Sequence, residues 1–237
     1  MQINHVCPYC MQEAFDSTGR QSLSFRLTPH MLHDSGVHEI RCPKGHEYSV
    51  VLSAAKYEIL YDLGMNALSD GYTRESVSSF ASSLERFYEF FIKFQMQNAN
   101  ITSELSDQAW KTISNQSERQ LGAFTYLYLS SLGELPPELS SKDRGFRNKV
   151  IHKGYIPPVD EAIGFGKVVY NHIMAVISEL ETKYGYRKIY EFYSTQLPKG
   201  GASWVVNESA RSMNLSSTSA GTSVVDFDVM LQRFNRK

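Results

Sequence analysis

The chain has 237 residues, a length typical of one or two domains. Hydrophobic residues make up 42% of it and charged residues 21%, which is the balance of a globular protein with a sizeable core. Lys and Arg total 24 against 25 for Asp and Glu, and the net charge of -1 excludes a global positive field for non-specific nucleic-acid binding.

Targeting signals and disulfides are not expected. No apolar run reaches the length needed to cross a bilayer, and the first ten residues, MQINHVCPYC, lack the features of a signal peptide. We therefore expect a cytoplasmic protein with no membrane partner. The odd number of cysteines indicates metal binding or a reactive thiol, because a disulfide framework needs pairs. The cysteines are Cys7, Cys10 and Cys42.

The first segment, residues 1–52, is predicted to be a small β-rich domain. Residues 22–27, 37–42 and 47–52 alternate or cluster residues that favour strands. Glycine and proline in the connections between them favour turns.

The cysteines of this segment have the spacing of zinc ligands. Cys7 and Cys10 form a C-x-x-C pair, and Cys42 with His46 forms a C-x-x-x-H pair. Two tight turns that each present two ligands complete the tetrahedron that zinc prefers, and four protein ligands predict a structural zinc. The alternatives to His46 as the fourth ligand are His30, His33 and His38. This segment resembles a zinc ribbon, a class that binds nucleic acid, binds proteins or braces a neighbouring domain.

From about residue 53 the hydrophobic pattern takes a helical period, and residues 53–197 are predicted to form a helical domain. The strongest helix is 73–97, with Thr73 as its predicted N-cap. The other predicted helices span 54–71, 103–133 (one or two helices), 140–154, 159–185 and 187–197. The strongest helix carries an apolar stripe at helical spacing, which consists of Val77, Phe80, Leu84, Phe87, Phe91 and Phe94.

Two further predictions concern residues 159–185. His172 is predicted to lie in the core or at an interface, and Gly164 with Gly166 to let another helix approach closely. Beyond the helical domain, residues 198–237 are predicted to be a Gly/Ser-rich flexible linker followed by a short C-terminal helix. That helix could dock on the body, dock on a partner or stay loose.

The segment 146–154, FRNKVIHKG, concentrates groups that suit RNA cleavage. A neutral histidine can accept the proton of a ribose 2′-hydroxyl, and a protonated one can donate to the leaving oxygen. An arginine can bind the phosphate through two hydrogen bonds and stabilise the transition state. Only RNA has the 2′-hydroxyl, and no metal is needed.

Arg147 and His152 are five residues apart, which separates them by about 140° around an ideal helix. Asn148 and His152, four residues apart, share a helix face. One chain would not easily bring Arg147 and His152 to one phosphate. Two chains around a two-fold axis could, with each contributing an arginine and a histidine to a shared cleft.

Arg147, Asn148 and His152 in this helical setting resemble the motif of the HEPN superfamily, and the resemblance covers residues 53–185. Glu85, in the strongest helix, looks like the acid that faces the site in that family. The resemblance implies a mainly α fold, an HEPN-like helical bundle behind the β-rich N-terminal zinc ribbon. It also implies a metal-independent endoribonuclease in which His152 is the general acid/base and Arg147 binds phosphate. Asn148 would assist by hydrogen bonding, and Glu85 would orient Arg147 or His152.

The resemblance also implies partners. HEPN members are commonly homodimeric ribonucleases of bacterial toxin–antitoxin, abortive-infection and phage-defence systems. We therefore expect an RNA substrate, a second copy of the chain, and an antitoxin or defence-system partner. Some HEPN toxins present a tyrosine two residues after the histidine for nucleotidylation. Tyr155 departs from that pattern, because it lies three residues after His152.

The alternative is a non-catalytic binding module, such as an antitoxin, a sensor or an adaptor, which recognises a protein or a nucleotide. A zinc-ribbon transcription factor is less favoured, because no predicted helix has a clear basic recognition face.

Overall fold

The computed structural model describes residues 2–18, 27–137, 139–198, 205–208, 213 and 227–234. The chain is mainly helical, as predicted. It divides into two compact units. The N-terminal unit comprises Met1–Ala54 and Gln196–Ala210, and the helical unit comprises Ala55–Thr195 and Arg211–Lys237.

Two small sheets form the N-terminal unit. Strands β1 (Gln2–Val6) and β2 (Leu27–Met31) pair antiparallel, and β3 (Val37–Arg41) and β4 (Glu47–Leu52) form a second antiparallel pair. The alternating residues of 37–42 and 47–52 predicted β3 and β4 correctly. The third predicted strand, 22–27, lies outside the described residues except for its last residue, which begins β2.

Helix α1 (Pro8–Thr18) corrects the sequence prediction of a tight turn at the first cysteine pair. Pro8 is the first helical residue, where its fixed φ is favourable and its missing N–H costs nothing. The carbonyl of Cys7 accepts a hydrogen bond of 3.0 Å from the N–H of Met11, which closes the first turn. A spacing of three residues puts two side chains on one face of a helix as readily as on a turn.

A second correction concerns the predicted linker. Residues 205–208 form strand β5 (Val205–Glu208), which pairs parallel with β4 from Val205 opposite Ser49 to Glu208 opposite Leu52. The Gly/Ser-rich composition around this strand hid it, because its β-favouring run is only a few residues long and parallel pairing depends on a distant partner.

The helical unit contains the predicted helices. They are α2 (Lys56–Ser69), α3 (Thr73–Asn98), α4 (Ser103–Ile113), α5 (Ser117–Leu132), α6 (Ser141–Lys153), α7 (Val159–Tyr184), α8 (Tyr186–Gln196) and α9 (Phe227–Phe234). Gly133 and Gly154 end α5 and α6 in the left-handed conformation, with φ of 86° and 68°. Glycine adopts this conformation without strain, which explains why these two residues marked the ends correctly.

Helix α3 is central to this unit and packs against α2, α4, α5, α6 and α7. Its apolar stripe is buried throughout, as its helical spacing predicted. The predicted N-cap was wrong. Thr73 is the first residue of α3 and Tyr72 is the N-cap, because the Thr73 hydroxyl donates instead to the carbonyl of Pro157 at 2.7 Å.

The predicted C-terminal helix docks on its own unit. Helix α9 packs against α2 and α7, and buries the side chains of Phe227, Met230 and Phe234. Lys167 of α7 forms an ion pair of 2.9 Å with Asp228. Among the described helices, none combines the length and the hydrophobicity needed to cross a bilayer.

Candidate functional sites

The four predicted metal ligands come together in the N-terminal unit. One ligand atom from each of Cys7, Cys10, Cys42 and His46 lies within 4.8 Å of all the others. The first turn of α1 presents Cys7 and Cys10, and the turn between β3 and β4 presents Cys42 and His46. In that second turn Gly45 has a φ of 88°, and its N–H donates to the carbonyl of Cys42 at 2.8 Å.

The distances between these atoms suit a tetrahedral metal. The Nδ1 atom of His46 lies 3.6 Å from the sulfur of Cys7, 3.4 Å from that of Cys10 and 3.5 Å from that of Cys42. The sulfurs of Cys10 and Cys42 are 3.8 Å apart. The bond lengths of tetrahedral zinc would separate nitrogen from sulfur by about 3.6 Å and two sulfurs by about 3.8 Å. These residues can therefore hold a metal ion, and the set is compatible with zinc.

Two of the alternative fourth ligands, His33 and His38, are not part of this cluster. His33 is exposed, and its Nδ1 atom is 2.9 Å from the Ser35 hydroxyl. His38 is buried with its ring centroid 4.1 Å from that of His33. The side chain of His30 lies outside the described part of the chain.

Glu13 is a site residue that sequence reasoning missed. Its carboxylate accepts from the Nε2 atom of His46 at 3.1 Å and from the Lys44 ammonium at 2.9 Å. A metal-binding histidine usually donates its second ring N–H to such a carboxylate, which fixes the tautomer and the ring orientation. The signal was hidden because the sequence did not reveal that α1 places Glu13 one turn beyond Cys10.

The thiols of this cluster have divergent pKa values. Burial, followed by hydrogen bonds with Cys7 and Cys42, raises the pKa of Cys10 to about 12. At Cys42 burial also acts to raise the pKa, but backbone hydrogen bonds from His46 and Lys44 outweigh it and lower the pKa to about 7. Thiolates this close repel one another, so all three ionise together only around a cation.

The second site lies in the helical unit, where α6 meets α3. Arg147 of α6 forms an ion pair with Glu85 of α3, and its Nη1 atom donates to the Asn148 side-chain oxygen at 3.1 Å. Both partners of the ion pair are largely shielded, with side-chain exposures of 20% for Arg147 and 26% for Glu85. The fold therefore brings three of the four predicted catalytic residues together.

His152 is the fourth residue, and it lies elsewhere. It is exposed in the last turn of α6, next to the C-cap Gly154. Nearby, the Lys149 ammonium lies 3.3 Å from the centroid of the Tyr155 ring. The Tyr155 hydroxyl donates to Glu161 at 3.0 Å. Within one chain, the imidazole and the guanidinium therefore do not share a cavity.

A cavity of about 150 Å³, the α6 pocket, adjoins the ion pair. Its polar and charged lining consists of Glu85, Tyr88, Ser117, Glu118, Thr125, Arg144, Arg147 and Asn148. Its apolar lining consists of Ala81, Leu84, Leu121, Phe124, Pro136, Pro137, Leu139 and Phe165. Burial raises the pKa of Tyr88, so its phenol keeps its proton at any physiological pH.

Sequence reasoning missed this pocket and two of its residues, Tyr88 and Arg144. Tyr88 follows Phe87 of the apolar stripe of α3, and its spacing alone does not distinguish it from a core residue. Arg144 was visible only through its spacing, because it precedes Arg147 and Asn148 by three and four residues and so shares their helix face.

Comparison with known proteins identifies no relative. No family model matches the chain, and no curated protein or solved structure is significantly similar to it. The resemblance to the HEPN superfamily therefore rests on the residues of the motif and on the helical setting alone.

Proposed function

We propose that the helical unit is a metal-independent endoribonuclease of HEPN type and that the N-terminal unit binds a structural zinc ion. The observation that carries the nuclease proposal is the ion pair between Arg147 and Glu85, which links two helices at the mouth of a pocket. A shielded guanidinium held by a carboxylate is a preorganised site for a phosphate.

The ion pair leaves Arg147 able to bind. A guanidinium has five N–H donors, and the contacts with Glu85 and Asn148 use only part of them. Glu85 fixes the plane of the remaining donors, because the carboxylate holds one edge of the guanidinium. A phosphate oxygen that accepts from these remaining N–H groups would gain charge-assisted hydrogen bonds. The conformational entropy of the arginine side chain has already been lost in the ion pair with Glu85.

His152 would act as general acid/base. Its exposed position leaves the imidazole accessible to a substrate, and in a symmetric dimer to a site shared with a second copy. An imidazole can accept a proton at one nitrogen and donate one as imidazolium, which is the chemistry that general acid/base catalysis needs. The expected system is bacterial phage defence or toxin–antitoxin, as the resemblance implies.

The decisive experiment is RNA cleavage by the purified chain in magnesium-free buffer with EDTA, with its zinc content checked before and after. We expect fragments that end in a cyclic phosphate. His152→Ala and Arg147→Lys should each reduce the rate by about 10²–10⁴-fold, the range for loss of one acid/base or charge-stabilising group. Arg147→Lys keeps the positive charge and removes the planar guanidinium, which can donate two parallel hydrogen bonds to a phosphate.

Matched control variants separate catalysis from folding. His33→Ala removes an exposed histidine, and Arg187→Lys alters an exposed arginine that pairs with Glu191. Both should cleave at the parental rate. Equal cleavage by the parent, Arg147→Lys and His152→Ala would refute the assigned roles.

A binding module is the second candidate, and one observation favours it. The α6 pocket contains Arg147 and Asn148 without His152. A protein that only binds a nucleotide needs the pocket but not the imidazole. Intact RNA in the cleavage assay, together with a nucleotide bound to the parent and to His152→Ala, would favour this candidate.

A further inference from the structure

We infer that the α6 pocket is the seat of a single-ring nucleobase, the base of an RNA nucleotide whose phosphate meets the arginine face of α6. This inference names the substrate class of the proposed nuclease and so rests on that proposal for the identity of the polymer. Its test measures binding, so it can succeed or fail independently of cleavage.

The size of the pocket selects one ring. The cavity has a volume of about 150 Å³. An apolar cavity of about 150 Å³ is known to bind benzene. A pyrimidine has the same six-membered frame, whereas the second ring of a purine would have to remain outside.

The walls suit a flat aromatic ligand. Phe124 and Phe165 line the pocket with Leu84, and all three are buried, with exposures of 0%, 3% and 7%. Aromatic walls favour a flat ligand because a nucleobase of any sequence can stack on an aromatic side chain. Tyr88 packs against Phe124 in a stacked arrangement, with the two ring centroids 4.4 Å apart.

One wall of the pocket carries a phenol. Tyr88 is 5% exposed and lines the pocket, and burial raises the pKa of its hydroxyl. Because its phenol stays protonated, Tyr88 can donate to a carbonyl oxygen or a ring nitrogen, and the Asn148 amide adds a second polar group at the rim.

The cations lie on one side of the pocket. Arg144, Arg147 and Asn148 occupy positions i, i+3 and i+4 of α6, and all three line the pocket. Arg144 is exposed and Arg147 is shielded. A nucleotide whose base enters the pocket would present its phosphate to this face, where a planar guanidinium can bind two oxygens at once.

The same helix leads from the pocket to His152. Asn148 and His152 are one turn apart on one face, about 6 Å along the axis. A base in the pocket would therefore hold the strand close to the end of α6 that carries His152. The proposed nuclease would then cut next to a pyrimidine.

The test is equilibrium dialysis of the full-length chain with radiolabelled UMP, CMP, AMP and GMP. We expect the pyrimidine nucleotides to bind at least 10-fold more tightly than the purine nucleotides. Ala81→Leu adds three carbons to the wall of the pocket and should weaken UMP binding at least 10-fold. Ala109→Leu, at an exposed position of α4, is the matched control and should bind like the parent.

A second arm separates RNA from free nucleotides. Oligouridylate should displace bound UMP and oligoadenylate should not. Bound UMP that oligouridylate fails to displace would overturn the assignment to RNA. If Ala81→Leu loses its helical circular dichroism, Thr125→Leu, from the part of the wall that α5 contributes, takes its place.

Two results would overturn the inference: no nucleotide binding by the parent, or UMP binding that neither pocket variant weakens. The outcome is distinguishable from failure of the nuclease proposal, because UMP binding is measured on the parent and on the pocket variants, whereas the nuclease proposal depends on the rate of RNA cleavage by the parent and by His152→Ala. Pyrimidine binding without any cleavage would retain the pocket and refute the nuclease.

Discussion

The two units of this protein position their functional groups by different means. In the described part of the N-terminal unit, one hydrophobic cluster contains two of the three cysteines of the metal cluster, Cys7 and Cys42, beside Ile40, Tyr48 and Val50. In the helical unit, a 26-residue helix buries its whole apolar stripe, and the Arg147–Glu85 pair lies beside it. The first site is part of its core, and the second is attached to one.

The two units should therefore differ in how much of their stability depends on a bound metal. Zinc at the proposed site would supply much of the folding free energy of the small N-terminal unit, because its ligands are part of the core. A unit with many fully buried aromatic side chains gains it from the burial of apolar surface. The helical unit also satisfies a buried carboxylate with hydrogen bonds from its own residues. The buried carboxylate of Glu58 accepts from the N–H of Ala55 at 2.8 Å and from the Tyr193 hydroxyl at 2.7 Å.

Removal of the proposed zinc should have the largest effect on stability, and the effect should be confined to the N-terminal unit. An unaffected N-terminal unit would contradict the contrast between the two units. Cys42→Ser takes one ligand from the cluster, and structural zinc sites contribute about 10–16 kcal/mol of apparent binding free energy. We expect loss of bound zinc and rapid proteolysis within residues 1–54, with the helical unit still protected. Metal analysis and limited proteolysis with mass spectrometry measure both. His33→Ala should retain its zinc, and a zinc-free Cys42→Ser protein with an unchanged proteolysis pattern would contradict the prediction.

Acid should destabilise the helical unit through His172. This histidine was predicted to lie in the core or at an interface, and it is buried. Burial lowers its pKa to about 4, against a hydrogen bond that the imidazole donates to the carbonyl of Pro137 and that acts to raise it. The unfolded chain, with a pKa near 6.5, binds the proton first, so stability is lost as the pH falls from about 6.5 to 4. The shift corresponds to about 3 kcal/mol.

The measurement is urea unfolding at a series of pH values. His172→Gln, which stays neutral, should lose less stability than the parent between pH 6.5 and 4. His33→Gln changes an exposed histidine and should follow the parent. Parallel pH curves for the parent and His172→Gln would show that the imidazole does not cause the loss.

Close packing of glycine against Phe80 should make the helical core intolerant of a single methyl group. A Cβ atom on Gly166 would lie 2.7 Å from the Phe80 ring, and one on Gly64 would lie 2.5 Å from it. We expect Gly166→Ala to cost about 1–3 kcal/mol in urea unfolding, as overpacking does. Gly164→Ala on the same helix meets nothing within 4 Å and should stabilise by about 0.5–1 kcal/mol. Equal stabilities for the two variants would contradict the packing.

The smallest expected effect is a decrease in the metal affinity of the N-terminal unit. Glu13→Gln weakens the hydrogen bond to the ring of His46 while it keeps all four ligands. Loss of such an outer partner lowers metal affinity by about 10–100-fold. Competition with a chromophoric chelator measures this. Glu47→Gln, on an exposed acid that pairs with Arg41 at 3.9 Å, should leave the affinity unchanged.

The sequence by itself determined whatever depends on local spacing. Helical periodicity located α2 to α9, because side chains three and four residues apart share a face whatever surrounds the helix. The pairs Cys7–Cys10 and Cys42–His46 predicted the four ligands for the same reason, since each pair needs only one turn of chain. Glycine after α5 and α6 identified their ends through its left-handed conformation.

Only the tertiary structure decided what distant residues do together. Strand β5 depends on a partner strand far along the chain, which composition does not encode. Glu85 and Arg147 are 62 residues apart, and only the packing of α3 against α6 selects one as the partner of the other. The α6 pocket is the space that several helices leave between them, and its volume follows from their packing rather than from any single segment. The same packing placed Arg147 in that pocket and left His152 outside, although both belong to one motif on one helix.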